Sequence, residues 1–216
     1  MSYRTLDMAA YKRRRHFEYF CAMAYPYMGV TVNVDVTDFV RAVKASGLPF
    51  FLSLCYCVVR AANSVPEFRQ RVRDGGIVEY DWCSGSHTVA LEDGTYCYCV
   101  LDSRPAFEDY LPAAAAAHEA AKQAVSLDDG EDADSLLFIS CFPGISHTAL
   151  VQPVPSPADS NPRITWGGYF TQEGRTLLPL SLLCHHALVD AAHLSRFLSA
   201  LDRELAAIAE KYRGAD

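Results

Sequence analysis

The chain has 216 residues, half of them hydrophobic, 12% aromatic and 21% charged, which describes a folded protein with a sizeable core and excludes a disordered one. Its formal net charge of -7, with no Lys/Arg stripe to offset it, argues against a nucleic-acid partner. The apolar, uncharged stretch between Lys44 and Arg60 holds fifteen residues and a proline, too short for a membrane span.

In chain order, Met1 to Asp7 lacks the apolar core of a signal peptide, so a cytoplasmic location is expected. Residues 3–6 read as a short strand. Apolar residues at helical intervals predict a helix from Asp7 or Met8 to about Ala22, stopped by Pro26. Val30, Val32, Val34 and Val36 alternate with polar residues, which predicts a half-buried strand from Tyr27 to Val36. Thr37 is the expected N-cap of a helix that Gly47 ends. Pro49 opens a second helix to about Asn63, apolar nearly all round and therefore core. Turn residues at Asp74-Gly75-Gly76 precede strands at Ile77–Trp82 and Thr88–Leu91. A turn at Glu92-Asp93-Gly94 then leads to a return strand, Tyr96–Val100.

Phe107 to about Val125 is an alanine-rich helix of high propensity. The acidic run from Asp128 to Asp134 lacks calcium-loop spacing and reads as solvated surface. Leu136–Phe142 is an apolar strand broken at Pro143-Gly144, and His147–Val154 continues extended. Ile164–Thr171 and Thr176–Cys184 form a hairpin, and a last helix from Ala191 to Tyr212 carries an apolar face. Eight cysteines without a Cys-x-x-Cys pattern or a nearby histidine at ligand spacing read as reduced, buried thiols, and no metal site is expected. The whole, residues 1–216, is expected to be one α/β domain with helices packed on a mixed sheet.

The stretch with chemical content is Leu183-Cys184-His185-His186-Ala187-Leu188-Val189-Asp190. A strand delivers two histidines into a turn, and a carboxylate follows at a helix start. His186 is a candidate general base. Asp190, one turn on, is badly spaced for a Ser-His-Asp triad and reads better as a structural anchor that needs a cation. Phosphate-cradling glycine loops and a Gly-x-Ser-x-Gly elbow are absent, so nucleotide and serine-nucleophile chemistry have little support.

His185-His186-Ala187-Leu188-Val189-Asp190 resembles the His-His-x-x-x-Asp-Gly motif of CoA-dependent acyltransferases. Four further segments narrow the resemblance to the trimeric chloramphenicol acetyltransferase family. Tyr11–Glu18 is similar to its Trp-x-Arg-x-x-His-Phe-Glu segment, and Pro66-Glu67-Phe68-Arg69, followed by Arg73-Asp74-Gly75, to its Pro-Glu-Phe-Arg segment. Ser140-Cys141-Phe142-Pro143 is similar to its Ser-x-x-Pro strand end. Tyr169–Gly174 with Leu178-Pro179-Leu180 is similar to its last hairpin.

The resemblance implies a two-layer α/β sandwich and direct acetyl transfer from acetyl-CoA to a hydroxyl of chloramphenicol or a similar small acceptor. It implies a homotrimer in which His186 of one subunit faces an acceptor pocket on its neighbour. His186 would be the base and Ser140 the donor to the oxyanion. Asp190 would pair with Arg13, or alternatively Arg14, through the fixed fork of a guanidinium. Thr165 would hold a water near the reacting centre, Tyr169 would lie near the CoA adenine, and Tyr19 and Phe20 would line the acceptor pocket. His185 would orient its neighbour or pack, and His193 matches a family histidine. His16, His87, His118 and His147 show no partner in the sequence.

Three departures stand out. Ala191 replaces the family glycine, which is harmless if helical and costs about 1 kcal/mol if φ is positive. Gly144 replaces a tryptophan. Leu150-Val151-Gln152 replaces a Phe-x-Leu pair of the antibiotic pocket and makes the wall more polar. Alternative readings are a different hydroxyl or amine acceptor, a silent scaffold trimer, and a hydrolase that forms an acyl-enzyme.

Overall fold

A computed structural model describes residues 1–130 and 132–213. Glu131, in the acidic run, lies outside them. The described chain runs β1 (Tyr3–Thr5), α1 (Arg14–Cys21), β2 (Tyr27–Asp35), α2 (Thr37–Ala45), α3 (Phe50–Asn63), β3 (Gln70–Arg73), β4 (Gly76–Tyr80), β5 (Ser84–Ala90) and β6 (Tyr96–Leu101). It continues with α4 (Phe107–Gln123), β7 (Leu136–Phe142), β8 (Arg163–Gly167), β9 (Phe170–Gln172), β10 (Arg175–His185) and α5 (Ala191–Lys211).

The main sheet is mixed, in the order β2-β10-β8-β7-β5-β6, with β9 hydrogen-bonded to β10. β7 runs parallel to both its neighbours, β5 and β8, and the other pairs are antiparallel. Alternation along β10 sends Leu178, Leu180, Leu182 and Cys184 to one face, all 0–2% exposed. Those residues join side chains of α2, α3, α4 and α5 in one buried cluster, so helices cover one face of the sheet, as a two-layer sandwich requires. The other face is partly covered by the loop of residues 143–162. Close approach of this loop requires Gly167, because a Cβ there would overlap the Ile145 carbonyl oxygen.

Several boundaries differ from the sequence reading. A second sheet, β1-β4-β3, stands apart from the main one, where a single sheet was expected. It is tied to β7 through Arg71, fully buried, whose guanidinium donates to the carbonyls of Phe68, Gln70, Asp134 and Leu136. α1 begins at Arg14, six or seven residues later than the apolar spacing predicts. Residues 7–13 instead form turns, started by the Asp7 carboxylate accepting from Ala9 N–H at 2.8 Å. Thr37 is not the N-cap of α2; Val36 holds that position, and the Thr37 hydroxyl accepts from Thr176 N–H of β10 at 2.8 Å. The stretch His147–Val154 belongs to no strand.

Candidate active site

β10 ends at His185, and its last pairs with β2, Cys184↔Met28 and His185↔Tyr27, hold both histidines at the rim of the sheet. The following turn closes through Leu188 N–H and Val189 N–H, both donating to the His185 carbonyl at 3.0 Å. That turn sets the His186 imidazole. Its Nδ1 lies 2.9 Å from the Val189 carbonyl oxygen. A carbonyl only accepts, so Nδ1 carries a proton, and in the neutral imidazole the lone pair is on Nε2. Nε2 makes no hydrogen bond to another described residue, and the Phe20 ring packs 4.0 Å, centroid to centroid, from the imidazole. Tyr19 stands edge-on to Phe20 at 5.1 Å. Tyr19, Phe20 and His186 are therefore one cluster.

His185 is buried. Its Nδ1 accepts from Ala187 N–H at 3.3 Å, and its ring stands edge-on to that of Tyr27, 5.8 Å between centroids. Burial, with the neighbouring His186 adding to it and Asp159 opposing, brings its pKa down to about 4.

Asp190 is the N-cap of α5, its Oδ1 accepting from Ala192 N–H at 3.0 Å. Its Oδ2 meets Arg13 Nη2 at 3.0 Å, while Arg13 Nη1 donates to the Leu188 carbonyl at 3.2 Å. One guanidinium thus clamps both the cap and the turn that carries His186. Arg14 is excluded from this role, since it pairs with Glu18 in its own helix at 2.7 Å. Ala191 opens α5 and is not among the residues with positive φ, so replacing glycine there brings no strain.

His193 completes a capping box, accepting from Asp190 N–H through Nδ1 at 2.9 Å. Its Nε2 lies 3.2 Å from Glu67 Oε1, and Glu67 Oε2 pairs with Arg196 at 3.1 Å. Burial alone would raise the Glu67 pKa, but the hydrogen bond from His193 and the Arg196 guanidinium outweigh it and hold the pKa near 2. Burial likewise opposes ionisation of Asp190, and His193 and Arg13 overcome it, so its pKa is lowered. Glu67 stands in the Pro-Glu-Phe-Arg segment, and nothing in the sequence around it points to this role. Its partner lies 126 residues away.

This network yields a prediction. Asp190→Asn keeps a capping oxygen but loses the Arg13 ion pair, whereas Asp190→Ala loses both. Alanine is expected to cost about 1 kcal/mol more stability than asparagine. Both are expected to lower turnover by about tenfold or more through a misplaced imidazole. Thermal unfolding set against kcat for the two variants checks this.

Ser140 lies on β7, half-buried, opposite Thr165 of β8. Its hydroxyl makes no hydrogen bond to another described residue, so backbone does not satisfy it. Two cavities meet at this serine. One, of about 330 Å³, is also lined by Thr165, Gln152 and Leu150. The other, of about 930 Å³, is also lined by Phe51, Trp166, Lys122 and Tyr169. Lys44 Nζ stands 5.3 Å over the Tyr169 ring. Gln152 donates to Thr165 Oγ1 at 2.9 Å, so the polar wall expected from the sequence is built into the smaller cavity.

Three histidines without a visible partner in the sequence do have one. His147 Nε2 lies 3.0 Å from Ser181 Oγ, and His87 Nε2 lies 3.1 Å from His118 Nδ1. The structure does not bring His186 to Ser140 within one chain. Register aligns Ser140 with Thr165 and Thr165 with Ser181. His186 follows Ser181 by five residues, roughly 17 Å of strand.

The model of the chloramphenicol acetyltransferase family matches residues 1–202. A chloramphenicol acetyltransferase of Escherichia coli is 28% identical over 203 residues, covering 93% of each chain. One of Clostridium perfringens is 27% identical over 231 aligned residues, covering 99% of each. A solved chloramphenicol acetyltransferase superposes with a TM-score of 0.82 at 25% identity, covering 94% of this chain and all of the other. The dihydrolipoamide acetyltransferase of Azotobacter vinelandii shares the fold, with a TM-score of 0.67 at 21% identity, over 91% of this chain and 87% of that one. With its mixed sheet, its His-His turn clamped by Arg13 and a match spanning nearly its whole length, the chain belongs to the chloramphenicol acetyltransferase family.

Proposed function

We propose that this single-domain protein is an O-acetyltransferase that moves acetyl from acetyl-CoA to a hydroxyl of chloramphenicol or a similar small acceptor. The observation that carries this reading is the His186 imidazole, with its proton pinned on Nδ1 by the Val189 carbonyl and Nε2 left unpartnered. An alcohol is a weak nucleophile at neutral pH, and such a base supplies what it lacks. Nε2 takes the hydroxyl proton as the oxygen attacks the thioester carbon. The Ser140 hydroxyl donates to the oxyanion that forms. Collapse expels the CoA sulfur, which recovers the proton from His186. Transfer is direct, in a ternary complex without an acyl-enzyme.

Base and oxyanion donor must both reach one tetrahedral carbon, and in a single chain roughly 17 Å of strand separates their positions. The reading therefore takes His186, with Tyr19 and Phe20, from one subunit and Ser140 with Thr165 from the next, in a homotrimer. The larger cavity suits acetyl-CoA, because it meets Ser140 and is also lined by Tyr169, for the adenine, and Lys122, for a phosphate. Asp190 and Arg13 act through His186 by holding its turn.

Release of CoA thiol from acetyl-CoA, with and without chloramphenicol, tests the proposal. Acceptor-dependent release is expected. Release with other hydroxyl or amine compounds but not chloramphenicol would move the acceptor. No release with any acceptor from a folded trimer would leave a scaffold, and a covalent acetyl adduct by mass spectrometry would point to a hydrolase.

A further inference from the structure

The face of the main sheet away from the helices carries a polar row. Thr31 on β2, Ser181 on β10, Thr165 on β8 and Ser140 on β7 are successive register partners. Thr88 and Tyr98, partners of each other on β5 and β6, line the same small cavity as Thr165 and Ser140. Gln152 closes over this row from the loop. The row is set in a cavity otherwise lined by Phe138, Ile139, Phe142, Leu150, Val151 and Pro153, so a ligand there has to meet the row's polar atoms along one edge and apolar side chains elsewhere.

Its charge is also uneven. Arg163 lines the cavity, but both its terminal nitrogens are held by the Asp159 carboxylate, at 2.8 and 2.7 Å. His87 is buried against His118, and burial first, then that neighbour, lowers its pKa to about 4, which leaves it neutral. Asp129 remains. Ser86 Oγ donates to its Oδ1, and no cation pairs with it among the described residues. Asp129 is thus the uncompensated charge among the described residues that line the cavity. Ser86 pairs with Phe138 in register, and Ser140 lies two residues further along β7. Strand spacing of about 4.8 Å and a rise of about 3.3 Å per residue put Ser86 and Ser140 roughly 8 Å apart.

The geometry points to a hydroxylated amine as the acceptor, its ammonium set against Asp129 and its reacting hydroxyl beside Ser140 and Thr165, with Gln152 reading a neighbouring polar group. This rests on the acetyl-transfer reading and names its substrate class. Asp129 and Gln152 are specificity-determining residues in this assignment and take no part in bond making.

The test compares matched acceptors: glucosamine with N-acetylglucosamine, and 2-deoxystreptamine with its N-acetylated form, at a pH where the amines are protonated. Chloramphenicol is the aryl control. CoA release is followed, and O-acetyl products are identified by NMR. The wild type is expected to favour the ammonium member of a pair in kcat/KM by about tenfold or more. Asp129→Asn keeps an acceptor for Ser86 and is expected to reduce that preference about tenfold, through KM rather than kcat. Gln152→Leu is expected to move the preference toward chloramphenicol. Equal or better use of the neutral members, or a preference unchanged in Asp129→Asn, would overturn the inference.

Binding measured by the ligand-induced rise in Tm separates the two readings. If ammonium probes raise the Tm of the wild type but not of Asp129→Asn, and no acceptor releases CoA, acetyl transfer fails and the binding assignment stands. If neutral acceptors turn over in a His186-dependent way and ammonium probes show no advantage, the acceptor class alone fails.

Discussion

Replacing His186 by alanine is expected to lower kcat for acetyl transfer by roughly 10²–10⁴-fold, with little change in stability. In the proposed reaction Nε2 takes the acceptor proton, while the side chain's one hydrogen bond among the described residues runs to the Val189 carbonyl. Ser140→Ala is expected to cost about 10²–10³-fold, as loss of a single oxyanion donor does. The pair also tests the shared site. When each site takes its base from one subunit and its oxyanion donor from the next, mixing the two inactive variants restores about one complete site in three in every mixed trimer. Co-expression with two affinity tags, followed by CoA release from the doubly purified species, reads this directly. Activity no higher than that of the separate variants would sink the shared site, and near-normal turnover by His186→Ala would sink the base.

Acidification from pH 6.5 to 4 is expected to destabilise the fold by several kcal/mol, well before the carboxylates titrate out. His87 and His185 are 1% and 4% exposed. Burial brings each down to about pKa 4, helped at His87 by His118 and at His185 by His186, with Asp159 pulling His185 the other way. In the unfolded chain both titrate near 6.5. Between the two values the unfolded state binds more protons, so stability falls as pH falls, and the loss is complete near pH 4. Each histidine contributes on the order of 3 kcal/mol across that window. Glu67 acts lower. Its folded pKa near 2 gives stability that is present above about 4.5 and lost as pH drops through 2. Denaturant unfolding at fixed protein concentration, from pH 7.5 to 4, checks the first window. His87→Asn is expected to remove about half of the pH slope, and an unchanged slope would rule out its buried neutral state.

Local pattern was enough for most elements. The alternation of Val30 to Val34 marks β2. Pro49 before a run that is apolar nearly all round marks α3, and the apolar face of residues 194–208 marks α5, because each signal lies within a few residues of the backbone it governs. The His-His turn, Ser140 and Arg13 were likewise legible as residue types at family spacing. What escaped were the places where a distant partner outweighs local preference. Residues 7–13 keep helical spacing, yet their turns place Arg13 against Asp190 and Leu188, 175 or more positions away. Thr37 has the chemistry of a cap, but a β10 amide claims its hydroxyl.

The sequence by itself determined the candidates: a histidine pair at a strand end, a carboxylate with Arg13 or Arg14 to pair with, a strand-end serine, and Ala191 in place of a glycine. Tertiary structure alone decided how those groups stand to one another. Pairing register aligns Ser140, Thr165, Ser181 and Thr31 into one polar row and leaves His186 five residues beyond it. Register is a property of neighbouring strands, set by which faces bury their apolar side chains, and no single strand encodes it.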